Sequence, residues 1–191
     1  YAEAQSLINS SLAQLADNVE KAKAYNKLVD LAYDKYKKED DVKTTNAVMK
    51  KNDPVDTDGM LAAGKIALQA AMECDRYDQQ PNEKGKVAIK FRQKNQDRTR
   101  AIRLSLLQAG IELANNDKQK EAFENFDVYL TSAKSAFFEG VEGVSTNDPN
   151  LGVAAFYGGR AAYNLEKFDK AIEYRKMCDA ILEYLKTERP D

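Results

Sequence analysis

The stretch AFYGGRAAYNLEKFDKAIEYRKMC, Ala155 to Cys178, decides the fold. Within it Gly159 stands twelve residues before Ala171, which stands seven before Cys178. The stretch Leu106 to Tyr129 keeps the same spacing with Gly110, Ala122 and Tyr129. A small residue on one helix facing a small residue on the next lets two antiparallel helices approach closely. Self-similarity of this kind marks a solenoid, in which each helix pair buries its apolar face against its neighbours. The reading is an all-α solenoid of antiparallel helix pairs, a class that mostly binds things.

Composition agrees with helices. The 191 residues include only 9 Gly and 4 Pro, and 43% are hydrophobic and 31% charged. Few segments alternate as strands do. A chain of this length buries about 70% of its unfolded surface, enough for a single domain over 1–191. Apolar spacing predicts about seven helices. The first covers residues 2–15, with Ala4, Leu7, Ile8, Leu12 and Leu15 on one stripe. A second runs from the turn and N-cap at Asp17-Asn18 to about Lys38. The others are expected near 59–78, 92–114, 117–138, 150–165 and 168–187. The polar stretch Lys37 to Asp58 is read as a loop, with room for a short helix over Thr45–Lys51. Gln80 to Lys86 is read as a turn, Val87 to Phe91 as a short extended stretch, and Glu139 to Pro149 as a loop.

The last of these stretches resembles the tetratricopeptide repeat, a 34-residue helix–turn–helix unit. Gly159, Phe168, Ala171 and Cys178 match that family's small, aromatic, small and small positions, and Tyr163 and Tyr174 are among the aromatics around them. In the preceding unit Gly110 and Ala122 match, while Gln119 replaces the aromatic and Tyr129 fills the last small site. Tyr25, Leu28 and Val29 with Ala63 and Ala70 resemble an earlier unit interrupted by a long loop. Ala4 and Ser11 resemble the second half of a truncated one. The units are thus about 1–16 (partial), 18–80, 92–138 and 150–187. Gly110 to Gly159 is 49 residues, and the surplus over one repeat is placed in the longer second helix and the loop at 139–149.

Candidate chemistry is thin. The chain has no histidine, which removes Ser–His and Cys–His nucleophiles and most imidazole metal sites. No carboxylate spacing singles out a catalytic pair. An enzyme is not expected, nor a metal or cofactor. Gly59 to Ile66 matches a phosphate-binding GxxxxGK, yet Ile66 stands where Ser or Thr must bind magnesium, and Gly64 reads better as a helix–helix contact. Asp56-Thr57-Asp58-Gly59 looks like part of a calcium loop, but Pro54 and Lys65 occupy ligand positions. Thr57 or Asp58 as an N-cap explains it better. Cys74 and Cys178 read as buried unpaired thiols. Lys84 to Arg103 carries eight basic residues against Asp97 alone. Their spacing spreads them around loop and helix, so a solvated face or one facing an acidic neighbour is favoured over an acidic-partner patch, and no nucleic-acid partner is expected.

The resemblance implies a concave surface lined by the first helix of each pair. In the last unit the corresponding residues are Phe156, Arg160, Tyr163 and Asn164, with Tyr157 near the rim and Phe156 expected to be packed. One unit earlier Leu107, Ile111, Ala114 and Asn115 are largely apolar, so the basic clamp of some relatives is not reproduced. The expected function is noncovalent binding of a protein or peptide partner. The alternative is a structural segment of a larger assembly or homo-oligomer. No apolar run reaches the ~18 residues of a membrane span. The start at Tyr1 rather than Met reads as a processed form or excised piece of a longer protein, and export with a leader removed is compatible with it. Compartment is left open.

Overall fold

A computed structural model describes residues 1–15, 17–144, 148 and 150–188. Asn147 and Pro149 of the expected loop, and the terminal Arg189, Pro190 and Asp191, lie outside the described residues. The chain is all-helical. The α-helices are α1 (Ala2–Ser11), α2 (Asn18–Met49), α3 (Thr57–Asp78), α4 (Arg92–Asn115), α5 (Gln119–Ala133), α6 (Leu151–Asn164) and α7 (Phe168–Glu188). Short 3-10 turns follow α1 and α5, at Leu12–Gln14 and Ala136–Phe138, so the first helix ends at Ser11 and does not reach residue 15 as expected. The chain forms two compact units, Tyr1–Ile102 and Arg103–Asp191, and the division falls inside α4.

In the first unit α2 and α3 run antiparallel. The carbonyl of Ala22 accepts from Cys74 Sγ at 3.3 Å, and Tyr36 lies against Gly64 further along. A Cβ on Gly64 would sit 3.1 Å from both Tyr36 and Ile102, so this glycine serves close helix packing. Asp17 caps α2 by accepting from Glu20 N at 2.8 Å.

Three further expectations need correction. The stretch from Lys37 is not a loop until after Met49, because α2 continues through it. That part carries no apolar stripe; ion pairs one turn apart, Lys35–Glu39 at 2.8 Å and Lys37–Asp41, support it instead. It stops at Lys50, whose φ of 53° is left-handed. The cap of α3 is Asp56, not Thr57 or Asp58: its carboxylate accepts from Gly59 N at 2.9 Å. Asp56 is itself held by Lys35 at 2.8 Å, and its backbone N–H donates to Glu39 at 3.0 Å. Finally, α5 ends at Ala133 rather than near Phe138, and a 3-10 turn buries Phe137 and Phe138 instead.

The basic stretch is largely engaged within each unit. Arg92 Nε pairs with the buried Asp75 at 2.6 Å. Lys94 and Arg98 meet Asp30, holding its carboxyl below the usual range against the opposing effect of burial. Val87 to Phe91 joins no strand; the backbone N–H groups of Lys90 and Phe91 donate to Asp78.

In the second unit two helix pairs repeat one turn. Lys118 N donates to Leu113 O at 2.9 Å, and Lys167 N to Ala162 O at 2.9 Å. Within these turns Asp117 and Glu166, 49 residues apart, take φ of 60° and 57°. Gly110 lies so close to Phe126 that a Cβ would sit 2.9 Å from the ring. Helix α6 packs on α5 and α7 packs on α6. The core between them holds Phe126, Tyr129, Leu130 and Tyr174, all fully buried.

Arg103, also buried, lies over the Tyr129 ring at 4.3 Å. Its guanidinium donates to Ser132 Oγ at 2.9 Å and to Asp148 at 3.3 Å. Tyr129 donates its hydroxyl to the same carboxylate. Burial, reinforced by Asp148, pushes the Tyr129 phenol well above its ordinary pKa. A buried ion pair of this kind survives because hydrogen bonds satisfy both ions.

Candidate functional site

The 14 residues of α6 form a helix of small side chains, and its two faces do different things. Leu151, Ala154, Ala155, Gly158, Ala161 and Ala162 are buried. Gly158 approaches α5, where a Cβ would meet Phe126 at 3.0 Å and Leu130 at 3.4 Å. On another face Phe156, Arg160 and Tyr163 follow one another at i, i+4 and i+7, which places them on one stripe. Phe156 is 57% exposed and Tyr163 65%. Phe156 is therefore not packed as expected.

Helix α7 lies beside that stripe. A Cβ on Gly159 would meet the Ala171 carbonyl at 3.7 Å and Tyr174 at 3.5 Å, which is ordinary contact. The small residues at this crossing leave an open groove of about 440 Å³. Phe156, Arg160 and Tyr163 line one wall and Arg175, Asp179 and Leu182 the other, with Ala155, Gly159, Ala171 and Cys178 between. Arg175 Nε donates to both carboxylate oxygens of Asp179 at 3.0 Å. Arg160 has no ion pair among the described residues.

The structure thus brings together three of the five residues singled out from the sequence. Tyr157 instead turns toward α5, half-buried, with its ring stacked on Phe126 at 6.0 Å and 20°. Asn164, exposed at the end of α6, does not line the groove. Reading α6 alone missed the α7 wall. A signal for it was present: Arg175, Cys178 and Asp179 stand 49 residues after Phe126, Tyr129 and Leu130.

A broader hollow of about 570 Å³ lies at the α6–α7 turn, lined by Phe123, Asp127 and residues 166–170. Its cations already have partners: Lys167 lies over the Phe123 ring at 5.3 Å, and Lys170 reaches Asp127 at 3.3 Å and Glu173 at 3.2 Å. The α6–α7 groove, by contrast, combines exposed aromatic surface with an arginine that pairs with no carboxylate among the described residues. No group of Cys, Asp and Glu arranged to hold a metal occurs among the described residues, and no described helix is long and apolar enough to cross a membrane.

Comparison with protein-family models, with curated proteins and with solved structures finds no match to this chain.

Proposed function

We propose that this chain is a tetratricopeptide-like helical array that binds a protein or peptide partner noncovalently, and that the α6–α7 groove is its binding site. The observation that carries the reading is the stripe Phe156, Arg160, Tyr163, exposed together beside an open groove. Aromatic and arginine side chains on a rigid scaffold are the residue types that dominate binding energy at interfaces. Because both walls are helices already packed on a core, little conformational freedom is lost when a partner seats. The recurrence of the α4–α5 turn in the α6–α7 turn supports the helical-repeat part of the reading. The chemistry is recognition rather than catalysis.

Arg160 and Tyr163 are exposed, so the double variant Arg160→Ala/Tyr163→Ala keeps its helices. Both proteins serve as baits in affinity capture from a lysate of the source cell. A partner retained by the wild type and lost by the double variant is the expected result. Equal recovery by both baits, with circular dichroism unchanged, removes the groove from the reading.

A second reading, a structural segment that assembles with copies of itself, is favoured by one observation. Phe168, Ile172 and Tyr184 are also more than half exposed on α7 and do not line the groove, more apolar surface than one groove uses. Light scattering that shows a concentration-dependent dimer selects this reading.

A further inference from the structure

Two faces of the second unit are copies in register, and only one of them has a described helix seated on it. On the first, Leu107 and Ile111 of α4 stand beside Phe126 and Leu130 of α5 in one apolar cluster with α6. Leu107, Phe126 and Leu130 are buried there, and Ile111 is partly so. Moving 49 residues on gives Phe156 and Arg160 of α6, with Arg175 and Asp179 of α7. Those four line the open groove. Beneath each face a glycine meets the matching position of the next helix, Gly110 at the Phe126 ring and Gly159 at the Arg175 backbone N, with Tyr174 and Ala171 nearer still. What differs is the cover: α6 sits on the first face, with Gly158 on Phe126 and Leu130 and Tyr157 stacked alongside.

We propose that the α6–α7 groove, taken as the binding site argued above, receives one amphipathic α-helix of a partner protein, seated as α6 is on the preceding face and carrying a carboxylate opposite Arg160. The walls decide helix against extended strand. Both are helices whose backbone groups are bonded internally, so an extended peptide finds no edge to pair with and would lay its own N–H and C=O groups on Phe156 and Leu182. A helix brings its backbone already satisfied, and the small-residue floor at Gly159 and Ala171 lets it come close. Charge decides the sign. Where the covered face has Ile111, Phe126 and Leu130, the groove has Arg160, Arg175 and Asp179. Arg175 and Asp179 neutralise each other at 3.0 Å. Arg160 is left to pair with an acidic residue of the incoming helix.

Two phage-displayed peptide libraries, selected on the intact chain with the Arg160→Ala/Tyr163→Ala variant as counter-target, test this. One library is helix-forming, with Ala or Gly fixed along an i, i+4, i+7 stripe and the flanks randomised. The other carries prolines at every fourth position and cannot form a helix. The expected result is enrichment from the helical library alone, with Glu or Asp in the flanks. For an isolated selected peptide, Arg160→Ala should weaken binding about tenfold and Arg175→Ala less than about threefold. Enrichment of proline-containing peptides that still need Arg160 and Tyr163 overturns the helix inference while leaving the binding groove in place. Helical peptides selected with Lys flanks, or bound equally by the Arg160→Ala variant, also overturn it. Enrichment from neither library removes both the inference and the groove; a dimer that Arg160→Ala dissociates would then identify the occupant as a second copy.

Discussion

Helices α5 and α7 follow the same turn and carry the same small residue, Ala122 or Ala171, twelve positions after a glycine of the preceding helix. Yet α5 buries Phe126, Tyr129 and Leu130 completely, while α7 leaves Arg175 and Asp179 in solvent at the register of Phe126 and Leu130. The frame of a helix pair is therefore set by the small residues and the turn, and the chemistry of its open face is set separately by what lies on top of it. A face covered by α6 must be apolar because an unpaired charge there would be stranded away from water. A face that no described element covers can hold ions, and this one does.

The comparison can be broken most forcefully at one register. Phe126→Ala removes a fully buried ring wedged between Gly110, Tyr157 and Gly158, and should cost about 3–5 kcal/mol in denaturant unfolding of the second unit. Arg175→Ala, at the matching position of α7, should change stability by less than about 0.5 kcal/mol. Equal losses would mean that the two faces are equally packed.

A smaller and sign-changing effect is expected at the glycines. Gly159→Ala places its methyl at ordinary contact distance and should stabilise α6 by about 0.5–1 kcal/mol. Gly110→Ala drives its methyl to 2.9 Å from the Phe126 ring, which has no room to move, and should destabilise by about 1–2 kcal/mol net of the helix gain. Thermal unfolding of the two single variants settles the sign.

The smallest perturbation uses the thiols, which change no packing until labelled. Cys178 is 8% exposed on the floor of the groove, and Cys74 is fully buried. Burial, with Asp78 and Asp75 nearby, pushes the Cys74 thiol up to about 12, so it stays protonated and unreactive at pH 8. An aromatic disulfide reagent should titrate Cys178 alone in the native chain, and Cys178→Ser should abolish that phase. Fast labelling of Cys74 would show the first unit to open more readily than the second.

Much of the helical layout was legible because it rests on local signals. The spacing of Gly159, Ala171 and Cys178 located α6, the short turn and α7, and Asp17 announced the start of α2. The second half of α2 was not legible for a physical reason. Lys37 to Met49 has no apolar stripe, and its support comes from ion pairs one turn apart and from Lys35 and Glu39 meeting Asp56 across the following loop. The groove was half legible. Helical spacing put Phe156, Arg160 and Tyr163 on one stripe, but Tyr157 differs by one position and falls on the α5 side. Which apolar residue is packed depends on what covers it, and that is why Phe156 was misjudged.

The segment that separates the two helix pairs has a further consequence. Val144 and Asp148 are both buried, and Asp148 ties the chain to Arg103 and Tyr129. The connection between the helix pairs is thus pinned at Val144 and Asp148. Each pin divides one long closure into shorter ones and lowers the entropy that the insertion would otherwise cost. Asp148 cannot leave without taking its carboxylate from the buried Arg103 guanidinium, which lies against Tyr129 and Phe138. In hydrogen exchange the amides of Val144 and Asp148 should open together with the core beneath them, on the slow timescale of helices rather than the fast timescale of surface loops.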